Sequence, residues 1–122
     1  NPKDHKLSIY KNYFLEAGHA YSYDARDLKK YYQEYENLTD HWHEMFGNGI
    51  LEISYEKLVM DTKVNIEKIL NFCNLDWEEN CMNFHENKRY VDTISASSVK
   101  EPIYKRSINS WEKYENYFKD LF

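Results

Sequence analysis

This sequence of 122 residues predicts an α/β fold, mostly α-helical, with one convincing β-strand at about residues 50–55. Three observations carry the expectation. Apolar residues recur at helical spacing in five stretches. A single short, β-prone, apolar run, Ile50-Leu51-Glu52-Ile53-Ser54-Tyr55, lies between Gly47-Asn48-Gly49 and the polar Glu56-Lys57. One strand cannot satisfy its own edges, and a buried apolar strand needs neighbours on both sides. The chain is therefore expected to be one partial domain, residues 1–122, from a larger α/β domain whose other strands lie upstream. The opening fits this, since it lacks a methionine and goes directly into a helix-start pattern. The alternative is a purely helical domain in which residues 50–55 only mimic a strand.

The elements follow in order. Pro2 suits a first helical turn, and Leu7, Tyr10 and Phe14 continue the period until Gly18 ends it. Asp24 is placed to cap a second and longest helix, with Asp27 three residues on. Leu28, Tyr31, Tyr32, Tyr35, Leu38 and Trp42 form its stripe, and it stops near Gly47. After the strand, Asp61 or Thr62 can cap a helix carrying Ile66, Ile69, Leu70 and Cys73, stopped by Asn74. A shorter helix is expected from Trp77 to His85. Residues 87–106, with Ser95, Ser97, Ser98 and Pro102, lack a sustained period and read as irregular connection. Ser107 can then cap a last helix carrying Trp111, Tyr114, Phe118 and Leu121.

Composition narrows the function. Sixteen Lys and Arg against 21 Asp and Glu give a net charge of −5. That balance disfavours a protein that coats nucleic acid through its overall field, so any anion site must be local. No apolar run approaches the roughly 20 residues needed to span a bilayer, and the first residues lack the apolar core of a secretory signal. Cys73 and Cys81 sit in apolar helical patterns and read as small core residues, which favours a reduced, cytoplasmic setting. Cys81 and His85 share a helical face but make too few ligands for zinc. His41 and His43, two apart, point to different sides of a helix. No Ser or Cys sits in a Gly-rich elbow, and with glycine only at 18, 47 and 49 there is no phosphate cradle.

Three places could meet a ligand. Ser8 lies within the first helix, where a serine is also simply tolerated at the surface. Tyr55 ends the expected strand, where ligands gather in open α/β sheets, and its ring could stack on a flat ligand or fill a core. Lys105, Arg106 and Ser107 precede an expected helix start, which favours an anion, or else they form a solvated turn.

The runs LSIYKNYF, HAYSYDARDLKKYYQEYENLTDHW, ILEISYEKLVMD, ILNFCNLDWEENCMNFHENKRYVDTISASSVKEPIY and SINSWEKYE occur in this order. Together they resemble the C-terminal half of sulfotransferases, particularly the bacterial group found behind tetratricopeptide repeats. The resemblance covers nearly the whole chain. It implies an α/β fold related to the P-loop kinases. It also implies transfer of a sulfuryl group from 3'-phosphoadenosine 5'-phosphosulfate (PAPS) to a hydroxyl or amine.

On the same resemblance, Ser8 would bind the cofactor's 3'-phosphate, with the family's partner arginine falling one position before Asn1. Tyr55 of the YE-x-L pattern would sit near the adenine, with Glu56 supporting the turn. Lys105, Arg106 and Ser107, ahead of Trp111, would contact the 3'-phosphate again. Cytosolic members carry Arg-Lys-Gly where this chain has Tyr104, Lys105 and Arg106, so the charge is shifted, which favours Ser107 and Lys105. The family's 5'-phosphosulfate loop and catalytic base fall N-terminal to the part seen here. No catalytic residue is assigned, and the chain alone is expected to be inactive. Tyr21-Ser22-Tyr23 and the longest helix could line the acceptor side. Two other readings stand beside this one. In the first, a tyrosine-rich helical module uses Tyr31, Tyr32 and Tyr35 to dock a partner or the upstream part of the same protein; the second is a nucleotide-kinase relative.

Overall fold

Pro2 opens α1 (Pro2–Lys11), and the Asn1 side chain accepts the Lys3 N–H at its start. A computed structural model describes residues 1–15, 18–91 and 96–122. They form two units, Asn1–Ile50 with Ser107–Phe122, and Leu51–Arg106.

In the first unit α1 ends a turn earlier than its apolar spacing predicts. Asn12 caps it, donating from Nδ2 to the Ser8 carbonyl at 2.8 Å, while Phe14 leaves the helix. The Tyr23 hydroxyl both accepts the Phe14 N–H (3.0 Å) and donates to the Phe14 carbonyl (2.6 Å), which holds that residue outside the helix. α2 (Ala25–Phe46) starts where expected, with the Asp24 carboxylate accepting the N–H groups of Arg26 and Asp27 at 2.8 and 3.2 Å. It stops at Gly47, whose φ of +47° suits glycine. The core of this unit is Leu7, Leu28, Tyr32 and Leu121, with Ser22 buried beside them.

The expected last helix from Ser107 does not form. A 3₁₀ turn, Ser110–Tyr114, takes its place, preceded by Asn109 in the left-handed region (φ +55°). Its start is satisfied from a distance. The Asp4 carboxylate of α1 accepts from Asn109 N (2.8 Å), Ser110 Oγ (2.8 Å) and Trp111 N (2.9 Å). With those donors taken by Asp4, Ser107 has no helix end to cap.

The second unit corrects the strand. Ser54 is extended (φ −68°, ψ 128°), but residues 51–54 pair with no ladder among the described residues, and no strand is present there. A β-prone run becomes a strand only through neighbours. Tyr55 therefore ends no strand; it begins α3 (Tyr55–Met60), capped by Ser54, whose hydroxyl accepts from Lys57 N and donates to Glu56 Oε2 at 2.6 Å. That pairing gives Glu56 the turn-supporting part expected of it.

α4 (Thr62–Phe72) follows, and Asn74 (φ +54°) lies just past its end. Buried Asn65 joins the two helices, donating from Nδ2 to the carbonyls of Lys57 and Asp61, both at 3.0 Å. The helix expected from Trp77 to His85 is two 3₁₀ turns, Glu79–Cys81 and Phe84–Glu86. So short a segment, interrupted by Asn80 and Asn83, does not offset the cost of helix nucleation. Cys73 is exposed and Cys81 half-buried, so neither is the core residue its pattern suggested. Residues 87–106 are irregular where described, apart from the turn Ser98–Lys100; Ser95 lies outside the described residues.

Candidate functional site

The second unit holds an apolar pocket of about 410 Å³. α3 supplies Tyr55, Leu58 and Val59, and α4 supplies Ile66 and Ile69. Phe84 and the segment from Ser98 to Tyr104 close it. The local cause is the helical period: Tyr55, Leu58 and Val59 at i, i+3 and i+4 share one face of α3, and Ile66 and Ile69 share one face of α4. Three aromatic rings, Tyr55, Phe84 and Tyr104, border a space of ligand size. Tyr55 is 45% exposed, so one part of its ring packs while the rest is open to a visitor.

The charged groups around this pocket are organised. Among the described residues Glu101 is the one charged residue in its lining, and its carboxylate lies 2.7 Å from an Arg106 guanidinium nitrogen. The same guanidinium stacks on the Tyr104 ring, 3.6 Å from its centre. Arg106 is thus held by a carboxylate and a ring at once, which fixes its direction. Lys100 donates to the carbonyls of Asn87 and Arg89, tying residues 87–89 to the pocket's closing segment. Lys105, between Tyr104 and Arg106, is exposed.

The five residues singled out from the sequence fall into both units. Tyr55 lines the pocket, and Lys105 and Arg106 follow directly on its lining residue Tyr104. Ser8 and Ser107 belong to the first unit. Ser8 is exposed on α1, and Ser107 is half-buried in the turn before Asn109. The amide-rich helix start expected beyond Ser107 already holds an anion, the Asp4 carboxylate, so its donors are not open to another. Sequence reasoning missed Asp4, Phe84, Glu101 and Tyr104. Tyr104 stood next to the noted cations and could have been found. Asp4 and its partners are more than 100 positions apart, and no local signal joins them.

Among the described residues no group of three or more possible metal ligands gathers, and no helix is long and apolar enough to cross a membrane. The arrangement can hold a flat, partly apolar ring and place a cation beside it.

A model of the sulfotransferase family matches residues 1–79, which include Ser8 and Tyr55. An uncharacterized protein of Aquifex aeolicus (strain VF5) is 31% identical over 120 residues. That similarity covers 96% of this chain and 16% of the relative, so the chain spans about a sixth of the relative's length. No solved structure matches.

Proposed function

Because this chain belongs to the sulfotransferase family, we propose that it recognises the 3'-phosphoadenosine end of PAPS within a longer protein that sulfates a hydroxyl or amine. The observation that carries this reading is the Tyr55 pocket, with its aromatic border and the cations that follow Tyr104. An adenine ring fits walls of this kind, because a tyrosine face stacks on a flat heterocycle while its hydroxyl stays wet. When bound, PAPS supplies an activated sulfuryl group; the residues of this chain bind and orient.

Tyr55 receives the base. Lys105 is the cation assigned to the 3'-phosphate, and Arg106 can serve it only by exchanging its Glu101 carboxylate for phosphate. Ser8 and Ser107 keep the phosphate-binding role that the family resemblance gives them. Since Asp4 occupies the amides at 109 and 111, phosphate contact in the 105–111 segment falls to side chains. Sulfuryl transfer depends on positioning and on charge stabilisation, much as phosphoryl transfer does. The transfer chemistry itself belongs to the rest of the protein, and the 122-residue chain alone turns nothing over.

Calorimetric titration of the full-length protein with adenosine 3',5'-bisphosphate and with ATP tests this. The bisphosphate binds more tightly. A charge-assisted bond to phosphate contributes roughly 1.5 to 3 kcal/mol, so Lys105→Ala weakens binding by about one to two powers of ten. Tyr55→Ala and Ser107→Ala each reduce the preference. Equal affinity for both nucleotides in the unmodified protein sinks the reading.

A further inference from the structure

Glu101 puts a carboxylate into the wall of a pocket assigned to an anionic nucleotide. A like charge there opposes phosphate, so the residue works against the ligand unless a cation takes up its charge. Arg106 does so, with Nη2 at 2.7 Å from Glu101 Oε2. The pair is local, bracketing Pro102 to Lys105, and the side chains of Glu101 and Arg106 are 45% and 60% exposed. So exposed an ion pair contributes little to the fold. Its effect falls on the pocket, where it governs which anion Arg106 serves.

The Tyr104 ring makes that choice reversible. Arg106 lies over one face of the ring, 3.6 Å from its centre, and Tyr104 itself lines the pocket. Stacking engages the flat face of a guanidinium and leaves its five N–H donors at the edge, where a carboxylate or a phosphate can accept them. Arg106 can thus pass from one acceptor to the other without leaving the ring. Lys100 offers no substitute, because it donates to the carbonyls of Asn87 and Arg89.

Sulfuryl transfer gives such a competitor a use. The 3'-phosphate is the same before and after transfer, so every contact made to it holds substrate and product nucleotide alike. Uniform binding of that kind tightens the substrate complex without lowering the chemical barrier, and it slows the departure of adenosine 3',5'-bisphosphate. We propose, resting on the nucleotide reading of this pocket, that Glu101 is an internal competitor for Arg106. The nucleotide's phosphate takes Arg106 from Glu101 on binding, and Glu101 takes it back as the bisphosphate leaves. Glu101 so moderates the grip on a group that the reaction never changes, and it shortens the residence time of the product nucleotide.

Surface plasmon resonance on the full-length protein tests this, with adenosine 3',5'-bisphosphate and uncharged adenosine as probes. Glu101→Gln lowers the dissociation constant for the bisphosphate by roughly three- to tenfold, through release of the exposed ion pair and of the repulsion behind it, and mainly by slowing dissociation. Adenosine, which has no anion to offer Arg106, binds the variant and the unmodified protein equally. In an Arg106→Gln background the gain from Glu101→Gln shrinks to about twofold or less, since only the repulsion remains to be relieved. Both side chains are exposed, so circular dichroism and urea midpoints should match those of the unmodified protein. Bisphosphate binding that Glu101→Gln does not tighten overturns the proposal. A gain of equal size with and without Arg106 also overturns it, because that marks plain charge repulsion, and so does equal tightening of adenosine, which marks a change of pocket shape. If the unmodified protein binds ATP as tightly as the bisphosphate, the nucleotide reading fails and the competitor role goes with it. A protein that keeps the preference but is indifferent to Glu101→Gln fails on Glu101 alone.

Discussion

Replacing Asp4 with alanine removes one acceptor from three donors that come from the far end of the sequence. The Asn109 N–H is exposed and can return to water at little cost, but Ser110 Oγ and Trp111 N are partly buried. Each hydrogen bond to a carboxylate contributes about 1.5 to 3 kcal/mol, and the partial exposure brings the expected total to about 3 kcal/mol. For a chain of this size that lowers the melting temperature by roughly 10 °C. Asp4→Asn falls between, because one of its two side-chain atoms is a donor and must face another donor. Ser110→Ala removes a single bond and costs about 1 kcal/mol.

Urea unfolding of the single and double variants reads these values. The double variant Asp4→Ala, Ser110→Ala should lose less than the sum of its parts, since both changes remove the same contact. Strict additivity, or a loss under about 1 kcal/mol for Asp4→Ala, would show that the carboxylate does not hold the 109–111 turn.

Two further outcomes follow from single contacts. Asn65→Leu should cost about 1 to 3 kcal/mol in urea unfolding, by leaving the Lys57 and Asp61 carbonyls without their donor. Asn65→Asp should be worse at pH 7 than at pH 4, where its protonated form can still donate to one of them. His5 lies edge-on to Tyr32 and Tyr35, at 5.5 and 6.3 Å between ring centres, and partial burial holds its pKa below the usual value. A lowered histidine pKa means that the unfolded chain takes up the proton first. Stability should therefore fall as pH drops through about 6.5 and be flat above it on this account. The effect is small, because much of the ring remains in water. His5→Gln should remove it from the difference between urea midpoints at pH 7.5 and 5.5.

Sequence pattern located α2 and α4 well, because their signals are local. Asp24 with its following amides, and the stop at Gly47, act within a few residues of each helix end. The same reasoning failed for residues 50–55, since a strand is defined by neighbours and the described residues supply none. It failed again at Ser107, where the competing acceptor, Asp4, is remote in sequence. At the candidate site Tyr55 was legible from its YE-x-L setting. Phe84 and Glu101 were not, because only the packing of Phe84 and of the segment from Ser98 to Tyr104 against α3 and α4 makes them its neighbours.

The sequence by itself determined the family, the long amphipathic helix and the cation pair after Tyr104, all of which are written in residue type and short spacing. Tertiary structure alone decided which donors and acceptors meet. The 3₁₀ turn at Ser110 is capped by a carboxylate in α1, and Arg106 is turned onto Glu101 and Tyr104. An acceptor binds whatever donor the fold brings within about 3 Å, and chain separation does not enter that distance.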